Sequence, residues 1–192
     1  VWNADQMRSE LDALSIDVGV IFPDHFLKIA TLPNASYASA IARAYHRWIK
    51  DHWLQDDNDL YAMMIAVPQD PEEAAKELRR AVGELGFLGA MMPSNGLPQP
   101  LGAKTYWPIY EELQRLDVPF CVHNRRAGPA GENRFDSFLF MHTIGRPVET
   151  AIQFAGLLYG GVAEKFPNLR IGFLECGAGW VPYWMERMDE EW

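Results

Sequence analysis

Short apolar runs alternate with longer segments of helical period along the whole chain, and few folds accept that pattern. Ile16–Pro23, Leu60–Val67, Phe87–Met92, Val118–His123 and Leu169–Glu175 read as five strands, largely apolar on both faces. Runs of this kind belong to parallel strands covered by helices on either side. The segments between them carry helix signals. Asp70-Pro71-Glu72-Glu73 supplies an N-cap, a first-turn proline and a glutamate three residues after the cap, and that helix stops at Gly86. Asn34 to about Trp53 is a long helix with an apolar stripe of Tyr37, Ile41, Tyr45 and Trp48. Thr105 caps a helix through Leu116, Arg146-Pro147-Val148-Glu149 opens another that Gly160-Gly161 interrupts, Ser9–Leu14 ends one before the first strand, and one more begins at Val181. Strict β/α alternation predicts a parallel sheet with right-handed crossovers, either an open doubly wound sheet or part of a (β/α)8 barrel. Strand order 2-1-3-4-5 would favour the open sheet, and sequential order the barrel.

The 192 residues suit one domain, and no shift in composition marks a boundary. A formal net charge of −9 argues against nucleic acid as a partner, because an acidic chain repels phosphate backbones. The densest basic cluster, Arg125, Arg126 and Arg134, lies in one loop and fits a small anion better than a DNA face. The two cysteines, Cys121 and Cys176, make no disulfide framework. With no apolar run near the roughly 20 residues of a membrane span and no signal-like start, a soluble, cytoplasmic setting is expected.

Sites in parallel α/β folds form at the C-terminal ends of strands. His123 ends one such strand. Period two puts Pro119, Cys121 and His123 on one face and Phe120 and Val122 on the other. With Phe120 and Val122 toward the helices, His123 points inward, where an imidazole can bind a metal or serve as a structural hydrogen-bonder. More than twenty residues separate it from Pro147, and connections of that length are often functional. Glu175 ends the last apolar strand. It can ligate a metal, act as a base, pair with a loop arginine, or bond to the Gly-rich backbone that follows. His142 can bind substrate, shuttle protons, or pack under the long loop. For His25 a functional and a solvated role are equally open. His46 and His52, six residues apart, share no helix face and are set aside as a metal pair. Neither GxGxxG, GxxxxGK[ST] nor GxSxG occurs at a strand–helix junction, so phosphate-loop and serine-elbow chemistry have no support.

Several stretches together resemble the amidohydrolase-related metal-dependent hydrolases, the group that includes aminocarboxymuconate-semialdehyde decarboxylase. They are Val67–Ala74, Glu84–Gly89, Val118–His123, Gly161–Leu169 and Glu175–Tyr183. The resemblance implies a (β/α)8 barrel with a divalent metal, most often zinc, at its C-terminal mouth. The ligands there are an H-x-H pair or a carboxylate variant of it on the first strand, a histidine on the fifth and an aspartate on the eighth, and His123 matches the fifth-strand ligand. The sixth-strand histidine of some relatives is replaced by the neighbourhood of Glu175. The implied reading is a hydrolase or non-oxidative decarboxylase of a small carboxylated substrate, aromatic ones included. In it His123 is the metal ligand, Glu175 and His142 assist proton transfer, and Arg125, Arg126 and Asn124 bind substrate.

A complete barrel needs about 250 residues. The chain is therefore expected to be one partial barrel over residues 1–192, an incomplete α/β TIM barrel holding strands 2–6 and lacking the first and last two. Such a gene fragment or cut piece would hold metal poorly by itself and would cover its bare sheet edges as a homo-oligomer. The rival expectations are a non-catalytic remnant that only binds or oligomerises, and an open α/β binding domain without metal.

Overall fold

A computed structural model describes residues 3–54, 59–124 and 134–191. Six short strands, β1 (Gly19–Ile21), β2 (Leu60–Ala62), β3 (Met64–Ile65), β4 (Ala90–Pro93), β5 (Phe120–His123) and β6 (Ile171–Leu174), are interleaved with helices. The helices are α1 (Ala4–Ala13), α2 (Ala35–His52), α3 (Pro71–Leu85), α4 (Trp107–Arg115), α5 (Phe138–Tyr159), α6 (Val162–Lys165) and α7 (Val181–Glu191). Every strand pair is parallel, and neighbours follow chain order: β1 with β2, then β3-β4-β5-β6. That is the barrel's order and not the 2-1-3-4-5 of an open sheet. None of the described helices is long and apolar enough to cross a membrane.

The run expected as one strand over Leu60–Val67 serves two ladders. Leu60–Ala62 pairs with β1, and Met64–Ile65 pairs with β4. Met63 joins them, its N–H donating to the Ile21 carbonyl at 2.9 Å. Alternation holds through the break. Ala62, Met64 and Ala66 face α3 and α4, among Leu78, Ala81, Ile109, Tyr110 and Leu113. Met63, Ile65 and Val67 face the other way, toward Met91 and Cys121. Leu27 and Ile29 cover that second face from a 3-10 segment, Asp24–Thr31, that the sequence pattern did not suggest. All these side chains are buried, which is why the run lacks polar positions.

The helix signals hold best at α3. The Asp70 side chain accepts from the Glu73 N–H at 3.1 Å, Pro71 begins the helix, and Gly86 ends it at φ 77°, a left-handed cap glycine takes without penalty. Three readings shift. Tyr37 and Trp48 of α2 are exposed, and the buried stripe is Ala38, Ala42, His46 and Ile49, whose small members let the helix lie close to the sheet. α4 follows a 3-10 turn at Lys104–Tyr106 and does not start from a Thr105 cap. α5 begins eight residues before Arg146, so Pro147 lies inside it, where the missing N–H removes one helical bond.

The C-terminal half of α5 is fixed backbone to backbone. A Cβ on Gly102 would strike the Gly156 carbonyl, and one on Gly160 would strike Gly102. Gln153 adds to this anchorage, donating to the Ser94 carbonyl at 2.7 Å and accepting from the Leu101 N–H at 2.8 Å.

Candidate functional site

The site is built on β5 and β6. Phe120 and Val122 pack among the helix-facing core residues, and Cys121 packs on the opposite face, so by alternation His123 points to the inner face. His123 is 7% exposed. Its Nδ1 lies 2.7 Å from the Asn124 carbonyl oxygen. The geometry calls for the Nδ1–H tautomer, which donates to that carbonyl and leaves the Nε2 lone pair directed away from the backbone. Parallel register sets His123 opposite Leu174, the residue before Glu175. Nε2 consequently faces Glu175 Oε2 at 3.5 Å.

Glu175 differs from its neighbours in backbone as well as in charge. It sits at φ 51°, in the left-handed region. Among the described residues the other non-glycine ones there, Ser15, Asp59 and Asp117, are short polar types that tolerate it; a long glutamate does so less readily. Its side chain remains 57% exposed. Arg146, on α5, places Nη1 on the same Oε2 that His123 faces. One carboxylate oxygen thus lies against a guanidinium and across from an imidazole nitrogen. The sequence reading missed Arg146, taking it as the opening of a helix. A cation directly before proline in an otherwise apolar segment was the signal available.

Asn124 is buried, 4% exposed. Its amide donates weakly to Ser94 Oγ at 3.4 Å and to the Gly145 carbonyl at 3.5 Å, linking the end of β5 to the turn of α5 that carries Arg146. A cleft of about 170 Å³, lined by Ser94, Asn95, Gln99, Glu149 and Gln153, opens beside it. His142 is exposed one turn before Arg146, its ring 5.1 Å from that of Phe138. No hydrogen bond or ion pair among the described residues joins it to His123 or Glu175. His25 is exposed. Arg125 and Arg126 lie outside the described residues. Burial pushes the thiols of Cys121 and Cys176 up, away from the thiolate a nucleophile needs.

A second histidine–glutamate pair lies at the β3 edge of the four-stranded sheet. Beyond Ile21 the Ile65 N–H has no strand partner, and His46 Nε2 accepts from it at 3.1 Å. His46 Nδ1 is 2.7 Å from Glu77 Oε1, and Arg80 donates to both oxygens of that carboxylate at 2.6 and 2.8 Å. Burial would raise the Glu77 carboxyl, but the hydrogen bonds from His46 and Arg80 outweigh it and hold the group at about 2. Burial lowers the imidazole of His46 below its ordinary range.

Among the described residues no group of three histidine, cysteine or carboxylate side chains could hold a metal ion. What the mouth offers is two donors, Nε2 of His123 and the Glu175 carboxylate. The Asn124 carbonyl holds the imidazole in the tautomer that ligates, and hydrogen bonding of this kind orients metal-bound histidines. The donor set therefore fits a divalent cation in part.

The sequence model of the family described as Amidohydrolase matches residues 7–192. The gamma-resorcylate decarboxylase of Polaromonas sp. (strain JS666 / ATCC BAA-500) is 33% identical over 171 residues, covering 84% of this chain and 52% of the relative. Among solved structures, 2,6-dihydroxybenzoate decarboxylase complexed with 2,6-dihydroxybenzoate superposes with a TM-score of 0.81 at 26% identity, over 97% of this chain and 59% of that one. The 5-carboxyvanillate decarboxylase of Novosphingobium aromaticivorans, complexed with manganese and a nitrobenzoic acid, gives 0.79 at 26%, over 97% and 53%. The chain spans about half the length of the relatives it matches.

Proposed function

The chain belongs to the amidohydrolase family, and on that premise we propose that it forms part of a metal-dependent, non-oxidative decarboxylase acting on a small aromatic carboxylate. The observation that carries this reading is the mouth of β5 and β6, where a tautomer-fixed His123 turns Nε2 toward an exposed carboxylate. His123 is the proposed metal ligand. Manganese accompanies two of the solved relatives and is the first ion to try, with zinc second. When bound, such a cation supplies a Lewis acid for an anionic substrate oxygen. The remaining ligands are proposed to lie on the parts of the relatives' length that this chain does not span.

Decarboxylation of an aromatic acid breaks one carbon–carbon bond, releases CO2 and needs one proton at the vacated ring carbon. Glu175 in its protonated form is the proposed donor, and its exposure lets it reload from solvent. His142, on the rim one turn from Arg146, is the proposed relay. Asn124 is proposed to act at the substrate side, and Arg125 and Arg126 to hold a remote anionic group bidentately. A homo-oligomer that covers open edges belongs to the same proposal, supported by exposed Val18, Val20 and Phe22 around β1. A strictly monomeric solution mass counts against that part.

The test uses the whole protein that carries this sequence, loaded with manganese or zinc and given 2,6-dihydroxybenzoate and related hydroxybenzoates. CO2 release that His123→Ala abolishes is expected. Release from none of these acids with either metal sinks the decarboxylase reading and favours a remnant that only binds.

A further inference from the structure

We propose that Arg146 is the substrate-carboxylate anchor of this site, and that Glu175 occupies it in the ligand-free state as an internal competitor. The inference rests on the reading of the mouth as a carboxylate-processing site, and it adds a residue that reading does not use. Arg146 places Nη1 on Glu175 Oε2, and its side chain is 22% exposed. Among the described residues that carboxylate is its one ionic partner, and it engages the guanidinium through a single oxygen. A guanidinium in that setting matches an incoming carboxylate as well as it matches Glu175.

Glu175 has the attributes of a displaceable occupant. It is tethered through one oxygen, its side chain is more than half exposed, and its backbone is left-handed, where a glutamate stays only if something holds it. The turn beyond it is secured independently, by the Trp180 indole N–H donating to the Cys176 carbonyl at 2.9 Å, so its side chain can swing without unravelling β6. Arg146 is also held from behind. Asn124 bonds the Gly145 carbonyl, and Thr150 Oγ1 donates to the Arg146 carbonyl at 2.9 Å. A substrate carboxylate that takes the guanidinium releases Glu175 beside His123 at the moment the substrate is seated. Anchoring and the freeing of the proton-transfer group become one event.

The test is calorimetric titration of benzoate, with benzamide as the uncharged control, into the metal-free wild-type chain, Arg146→Met and Glu175→Gln at low ionic strength. Circular dichroism checks that each variant is folded. Losing the anchor should weaken benzoate roughly tenfold or more, the scale of a charge-assisted hydrogen bond. Losing the competitor should do the opposite, with E175Q binding benzoate roughly two- to fivefold tighter than wild type. A purely structural ion pair predicts that both variants bind equally well or worse. The proposal is overturned if E175Q binds no tighter, if R146M binds as wild type does, if benzamide follows the same pattern, or if neither wild type nor E175Q binds benzoate. Benzoate binding requires no turnover. The expected pattern without CO2 release would retain the anchor and remove the decarboxylase, and the reverse result would do the opposite.

Discussion

Two histidine–glutamate pairs serve one sheet, one at its β3 edge and one at the strand ends of β5 and β6, and they are built for different ends. At His46 and Glu77 every polar atom of the imidazole is committed, to a backbone N–H on one side and a carboxylate on the other, and two arginines close the carboxylate off. At His123 and Glu175 one nitrogen is committed, the other looks across 3.5 Å at an oxygen, and the glutamate is solvent-exposed on a left-handed backbone. The first pair completes a sheet whose edge strand ends early. The second leaves valence unspent. A buried histidine beside a glutamate is therefore not a signature of a site; what separates the cases is how many of its bonds are already made.

The sharpest break between the pairs is in stability. Glu77→Ala leaves the buried His46 N–H and the Arg80 guanidinium without their partner, and should cost about 3 kcal/mol or more. His123→Ala should cost about 1 kcal/mol. Urea unfolding of the two variants measures both, and equal losses would dissolve the distinction. Acid separates the pairs next. His46 is held below its ordinary value of 6.5, so under that pH the folded chain binds fewer protons than the unfolded one and stability falls as pH falls. Glu77, held at about 2 against an ordinary 4.5, adds a further loss as pH drops from about 4.5 toward 2. The urea midpoint should be lower at about pH 5 than at about pH 7, and His46→Gln should flatten that first step. Smaller still is Glu175→Gly. It relieves the left-handed backbone and should stabilise the chain by roughly 0.5–1 kcal/mol while deleting the carboxylate. A destabilising result would mean that Glu175 contributes to the fold. Arg146→Met should be smallest, within about 0.5 kcal/mol, as for other partly exposed ion pairs.

What the sequence made legible was periodic. The strand runs, their parallel order, the α3 caps and the inward turn of His123 all follow from alternation and end signals within a few residues. The same alternation failed on α2, because Tyr37 and Trp48 are the larger apolar groups while Ala38 and Ala42 are the ones that fit against the sheet. Of the site, the strand-end residues His123 and Glu175 were legible. Arg146 was not, because its meeting with Glu175 joins positions 29 apart across a helix that starts earlier than its proline suggests. The partnership of His46 with Glu77, 31 positions apart, was hidden for the same reason, and so was the loss of a strand partner at Ile65 that makes it necessary.

The glycine contacts of α5 bear on how this chain can vary. Two positions, 102 and 160, admit no side chain, because two stretches of backbone touch there. Ahead of Pro147 the same helix presents Phe138, Leu139, Phe140 and Ile144 to solvent. One helix thus has an exposed end and an end whose backbone is packed against another stretch of chain, with Arg146 just on the exposed side of the boundary. Changes in what the mouth recognises can accumulate there without disturbing the part of the helix that holds the barrel wall in place.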